Sequence, residues 1–234
     1  MKTIGLIGGM SWESTQTYYR IINQKVRDEL GGLHSAKLVL YSVDFAEIEA
    51  LQHQDKWQET AEILGSACKA VESAGADFLI LCTNTMHKVA HQLEQSVTIP
   101  LLHIADATAN VLEKEGVTSV GLLGTRFTME QAFYIERLQN RSIQVLVPAE
   151  PERQLIHSVI YTELCRGLVK PDSKSLYLNA VASLADRGAQ GVILGCTEIG
   201  LLIQGSDTEV PLYDTTEIHA AQAVQHALCH SIAP

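Results

Sequence analysis

Basic residues are scarce in this chain: 17 Lys and Arg stand against 27 Asp and Glu, a formal charge of −10 at neutral pH. That balance argues against nucleic acid or an anionic membrane as a partner, since both require clustered cations. A small anionic substrate stays open, because a few cations inside one cleft suffice. Long hydrophobic runs are missing too. The opening Met1–Trp12 stretch carries only a short apolar run, too short for a signal-peptide core or a membrane span, so a cytoplasmic location is expected. Cysteine is sparse and unpatterned: Cys68, Cys82, Cys165, Cys196 and Cys229 include no Cys-x-x-Cys pair and no Cys/His cluster at zinc spacing. Free thiols in a reducing compartment fit best, and no metal is expected. What is present is ordinary for a chain that buries a core, with 46% hydrophobic and 19% charged residues. The 234 residues accommodate one large domain or two small ones of roughly 100–120 residues.

Short apolar runs alternate with helical patterns along the chain, which predicts βα units and a mostly parallel sheet. Thr3–Ile7 and Lys37–Val43 read as strands, and Phe78–Leu81 as a wholly apolar strand suited to the middle of a parallel sheet. After Gly8-Gly9 a helix is expected, with Ser11 as N-cap, Glu13 in the first turn, and Tyr19, Ile22, Val26 and Leu30 on one face. A second helical stripe, Trp57, Ala61, Leu64, Cys68 and Val71, ends at Gly75 and places Cys68 in the core.

The second half repeats the first. Ile4-Gly5-Leu6-Ile7-Gly8 is echoed 116 residues on by Val120-Gly121-Leu122-Leu123-Gly124. The strand after Ala74-Gly75-Ala76, ending at Cys82-Thr83-Asn84-Thr85, is echoed by the one after Arg187-Gly188-Ala189, ending at Gly195-Cys196-Thr197-Glu198, an offset of 113. Ile99-Pro100-Leu101 returns 111 residues on as Val210-Pro211-Leu212, each followed by a helical pattern. The fold class expected is therefore α/β: two pseudo-symmetric parallel-sheet domains related by duplication, with the active site in the cleft between them. The first half would span 1–115, with segment 205–234 packing on it, and the second 116–234. Ligands of open parallel sheets sit at the carboxyl ends of strands, so Thr83 and Cys196 would occupy equivalent strand ends on opposite sides of one ligand.

Gly5-x-x-Gly8-Gly9 lacks the G-x-G-x-x-G spacing of a dinucleotide site, and Asp44 beyond the second strand lacks the glycines it should accompany. No organic cofactor is expected. The turn can still offer backbone N–H groups to a carboxylate. Cys196 is the sharper signal: a thiolate is accessible near neutral pH and is a competent carbon base, and backbone amides of the strand-to-helix turn would lower its pKa. The plain alternative is a cysteine packed under a loop. Cys82, one residue before the equivalent position, points to the other side of the strand. Cys165 and Cys229 lie on helical patterns and read as core, and His87 and His219 follow the two site regions, either tuning a thiol or packing structurally.

Three segments, Ile4–Thr15, Cys82–His87 and Leu194–Leu202, together strongly resemble the aspartate/glutamate racemases, over essentially the whole chain. The chain is most similar to the enterobacterial L-aspartate/glutamate-specific members. The resemblance implies pyridoxal-independent chemistry, two pseudo-symmetric domains, a homodimer, and L-aspartate and L-glutamate as small-molecule substrates. It also implies two cysteines flanking the substrate, one removing the Cα proton and the other reprotonating the opposite face. Cys196 matches the second of these; Thr83 stands where the family usually has the first. A threonine hydroxyl is a poor base but can donate or relay a proton, so an L-preferring enzyme is expected, with Cys196 as base and Thr83 as the weak acid. Asn84, Thr85 and Thr197 match residues that hold the carboxylate, and Met10 and Ser11 the first-loop contact. Gln52 and Arg166 fall where family members often carry arginine and lysine, and Glu198 where glutamate racemases have histidine. Two other readings stand beside this one. One is a single-thiol decarboxylase of the arylmalonate type, although no aromatic cluster accompanies the motifs. The other is a weakly catalytic protein that binds acidic amino acids.

Overall fold

The computed structural model describes residues 1–229; residues 230–234, the end of the expected 205–234 segment, lie outside the described residues. Ile4–Gly8 (β1), Leu38–Ser42 (β2) and Phe78–Leu81 (β3) form a parallel sheet in the order β2-β1-β3. Ser119–Gly124 (β4), Gln144–Leu146 (β5), Val192–Gly195 (β6) and Leu212–Asp214 (β7) form a second parallel sheet in the order β5-β4-β6-β7. The two orders match once Leu101, which makes a single parallel bridge to Leu79, is set in the place of β7. The same backbone bond marks that place in each sheet: Leu79 N–H donates to Pro100 O and Val192 N–H to Pro211 O, both at 2.8 Å. The duplicated α/β architecture is thus present in the strand order and in the register. β3 and β6, fully apolar apart from Gly195, are buried along their whole length, as the centre of a helix-covered parallel sheet requires.

The repeated glycines have a packing reason. A Cβ on Gly5 would sit 2.5 Å from Val71 Cγ1, and one on Gly121 would sit 2.8 Å from Leu184 Cδ1. Val71 lies on the helix Trp57–Ser73 and Leu184 on the helix Pro171–Asp186, so in each repeat a glycine in the first strand lets a helix close onto the sheet. The stripe Ala61, Leu64, Cys68 and Val71 is buried as expected, with Trp57 at its half-buried edge. The first helix, Trp12–Leu30, differs from expectation in which face it buries. Ser11 caps it, accepting from Ser14 N at 3.2 Å, but Tyr18, Ile21, Ile22 and Val26 are buried, while Tyr19 and Leu30 are 51% and 41% exposed. Tyr18 and Tyr19 differ by one position, and periodicity alone does not choose between them; a buried partner for the Tyr18 hydroxyl does, as described below.

The chain divides into two compact units. One is Met1–Ile104 together with the C-terminal stretch from His219; the other is Ala105–Ile218. The first has a core of Ile4, Leu6, Tyr18, Phe78 and Ile80 completed by Ala220, Ala223, Val224 and Ala227 of the helix Thr215–Leu228. In the second, the helix Ile104–Lys114 is held by Tyr134 OH to Thr108 Oγ1 at 3.4 Å and by the Arg137–Asp106 pair at 2.6 Å. The helix that ends each repeat therefore belongs mainly to the unit of the other repeat. The repeat boundary expected at 115/116 lies at the far end of Ile104–Lys114.

Candidate functional site

In the second unit the site begins at paired glycines. β4 and β6 run in register with Gly124 opposite Gly195, and a Cβ on Gly124 would lie 2.8 Å from the Gly195 carbonyl oxygen. The strand ends approach this closely because neither bears a side chain, and Cys196 is the first side chain beyond them. Its thiol donates to Glu198 Oε2 at 3.0 Å, and the Thr197 hydroxyl donates to the same oxygen at 2.8 Å. Cys196, Thr197 and Glu198 are all buried. Burial first, then the Glu198 carboxylate beside it, pushes the Cys196 thiol well above the ordinary cysteine range; the backbone contribution expected to lower it is present but smaller. The resting arrangement is a protonated thiol aimed at a carboxylate, a pair able to pass one proton between sulfur and oxygen.

Arg166 lies in the short turn Leu164–Arg166, which packs against the helix Ile199–Leu202 directly after Glu198. It is exposed and, among the described residues, carries no ion pair, whereas Arg137, Arg141 and Arg153 of the same unit are paired with carboxylates. Cys165 shares this turn and is half-buried, and Cys229 is exposed. Neither belongs to the core as expected: Gly167, at φ 71°, stops the helical pattern around Cys165, and Cys229 follows the last helix.

In the first unit Thr83, Asn84 and Thr85 are buried and follow β3, with Met10 and Ser11 after the neighbouring β1. The Ser14 hydroxyl donates to Cys82 O at 2.8 Å, tying the start of the first helix to the end of β3. Cys82 itself packs with Leu6, Tyr18 and Ala220, and burial raises its thiol far out of reach of neutral pH. Met10 packs its side chain among Ile7, Ile48 and Met86. The Gly9 N–H is given to Thr15 Oγ1 at 2.8 Å, which removes one of the amides that the turn was expected to offer. Asp44 is an N-cap that accepts from Ala46 N at 3.0 Å. Gln52 is buried, its amide 3.8 Å from Met86 Sδ. The expected residues thus divide between the two units, Cys196, Thr197, Glu198 and Arg166 in one, and Thr83, Asn84, Thr85, Met10, Ser11 and Gln52 in the other.

Sequence reasoning missed the polar network beneath Thr83. His87 Nδ1 lies 2.9 Å from Thr83 O and Nε2 accepts from Ile104 N at 3.2 Å. A carbonyl only accepts and an amide only donates, so the proton sits on Nδ1. His219 Nε2 lies 2.8 Å from Leu102 O, so it carries the proton there, and Tyr18 OH donates to Nδ1 at 2.8 Å. Burial holds both rings neutral, His87 well below its usual value and His219 down to about 4. The two histidines were visible as candidates. Tyr18 and its partner are 201 positions apart, and no local signal joins them.

Comparison with known proteins gives the family and the fold. The sequence model of the Asp/Glu/Hydantoin racemase family matches residues 7–223. A solved structure from Yersinia pestis, provisionally described as an Asp/Glu racemase, is 52% identical with a TM-score of 0.91, covering 97% of this chain and 100% of that one. An aspartate racemase homologue from Pyrococcus horikoshii is 36% identical with a TM-score of 0.84, covering 97% and 99%. The broad-specificity amino-acid racemase RacX of Bacillus subtilis is 22% identical over 236 residues, 97% of this chain and 99% of that protein.

Proposed function

Since the chain belongs to the Asp/Glu/Hydantoin racemase family, we propose that this amino-acid racemase interconverts the L and D forms of aspartate and glutamate without a cofactor, drawing the Cα proton more readily from the L form. The observation that carries the reading is the contrast between the two strand ends. One bears a thiol held 3.0 Å from a buried carboxylate; its counterpart bears Thr83, with no thiol at that position.

In this reading the ammonium of an incoming amino acid opposes the Glu198 charge that raises the Cys196 thiol, and the thiol proton passes to Glu198 Oε2. The Cys196 thiolate takes the Cα proton of the L-enantiomer. The electron pair left on Cα spreads into the α-carboxylate as an enediolate, held by Asn84, Thr85, Thr197 and nearby backbone N–H groups, including that of Ser11 next to Met10. Thr83 Oγ delivers a proton to the other face and recovers one from water, while Glu198 gives its proton up to water, so that Cys196 keeps the proton taken from Cα and the resting thiol–carboxylate pair is restored. Arg166 grips the distal carboxylate electrostatically, and Gln52, uncharged, contributes hydrogen bonding only. Starting from the D form, Thr83 would have to act as the base, for which a hydroxyl is far too weakly acidic.

Deuterium incorporation at Cα in heavy water tests the assignment. Wild-type protein is expected to exchange L-aspartate and L-glutamate faster than their D forms, and Cys196→Ala to abolish exchange from L. Equal exchange from both enantiomers, or unchanged L-exchange in Cys196→Ala, overturns it.

A further inference from the structure

Three histidines are buried together in the first unit, and the reaction above uses none of them. His87, His103 and His219 are each no more than 3% exposed, with ring centroids 4.5 Å apart for His87–His103 and 5.8 Å for His87–His219. His87 gives both ring nitrogens to backbone, Nδ1–H to Thr83 O and Nε2 to the Ile104 amide. The first bond closes the loop that carries Thr83, Asn84 and Thr85. The His219 ring packed against it is anchored by Tyr18, on the helix that Ser11 caps, and by Leu102 O. The loop bearing Thr83 and the helix behind Ser11 are thus tied through touching rings, all within one unit.

The duplication supplies a control built into the fold. At the offset that pairs Thr83 with Cys196, the counterpart of His87 is Gly200; at the offset that pairs Leu101 with Leu212, the counterpart of His103 is Asp214. No ring fits at Gly200, where even a Cβ would lie 2.5 Å from Asp214 Oδ2. The histidine clamp therefore exists in the half whose reacting group is a hydroxyl and is missing from the half whose reacting group is a thiol with its own carboxylate.

We propose that His87 is the positioning residue for Thr83, its Nδ1–H fixing the Thr83 carbonyl and with it the direction in which the hydroxyl meets the enediolate. This rests on the proposed racemase chemistry and deepens it. A hydroxyl proton is transferred only over a short, aligned hydrogen bond. When the loop is loosened, the enediolate is reprotonated from the Cys196 side it came from, giving exchange without inversion.

The test follows L-aspartate in heavy water, reading deuterium in recovered L-aspartate separately from D-aspartate formed. His87→Phe, which fills the space and removes both bonds, is expected to cut inversion about tenfold or more and to slow L-exchange by less, since Cys196 and Thr197 lie outside this loop, so that the ratio of inversion to exchange falls several-fold. His87→Asn, which keeps a donor near the Nδ1 position, is expected to recover most of the inversion. Equal loss of exchange and inversion in His87→Phe, or unchanged inversion, overturns the proposal. Wild-type protein that exchanges neither aspartate nor glutamate overturns the racemase reading instead. In that event nitrogen NMR of the His87 ring still decides the clamp: the proton resting on Nδ1 supports it, and the proton resting on Nε2 refutes it.

Discussion

At the residue scale the pair of Cys196 and Glu198 makes a prediction in two opposite directions. Burial is the largest cause of the raised thiol pKa and the Glu198 charge is the next. Replacing the carboxylate by an amide removes the second cause and leaves the first, so in Glu198→Gln the thiol should titrate at lower pH. The same change removes the group that accepts the thiol proton during catalysis, which is typically worth about a hundredfold or more in rate. Expected, then, is an alkylation-versus-pH profile of Cys196 displaced to lower pH together with kcat/KM for L-aspartate reduced about a hundredfold. A profile displaced upward, or activity that follows thiolate content, would show that Glu198 serves only as a structural acceptor. Sequence alone made Cys196 and Thr83 legible, because both follow an apolar strand at a repeated offset. The direction of the thiol's pKa was not legible. It depends on how deeply the loop is buried and on the rotamer that brings Glu198 Oε2 to 3.0 Å from sulfur.

At the scale of elements, the features read correctly were those with short-range causes. The strands β1 and β3, the cap at Ser11 and the stripe from Ala61 to Val71 each follow from neighbours within a few positions. What sequence left undetermined was set by distant partners. The face of Trp12–Leu30 is fixed by the bond from Tyr18 to His219, and the role of Gly124 by Gly195 across the sheet. That second pairing is testable. In Gly124→Ala the new Cβ would meet the Gly195 carbonyl oxygen at 2.8 Å, and backbone held by a ladder cannot turn aside as a side chain can. Overpacking of this kind costs about 1–3 kcal/mol, readable as a lower urea midpoint at unchanged slope. Gly205→Ala, where nothing lies within 4 Å of the new Cβ, is the matched control and should leave the midpoint in place. Equal midpoints for the two variants would mean that the β4–β6 contact tolerates a side chain.

At the scale of the whole molecule, the repeat in the sequence and the compact units do not coincide, because the helix that closes each repeat packs mainly within the other unit. The exchange has a cause in the amino acids. His219, Ala220, Ala223, Val224 and Ala227 present small or hydrogen-bonding side chains, all buried, to Leu6, Tyr18 and Phe78, so the helix approaches the first sheet closely and the His219–Tyr18 bond can form. A lesion in the last part of the chain should therefore register at its beginning. Ala223→Asp puts a carboxylate at a position with 0% exposure, where an unpaired charge is expected to cost several kcal/mol, about 3 or more. Amide hydrogen exchange under native conditions should then show protection lost first in β1 and β3, the first unit's strands, although the substitution lies beyond β7 in sequence. Protection lost first in β6 and β7 would mean that the helix stabilises the repeat that encodes it. The same lesion is expected to loosen Thr83 before Cys196, since the His219 ring that packs on His87 lies one turn before Ala223 on the same helix.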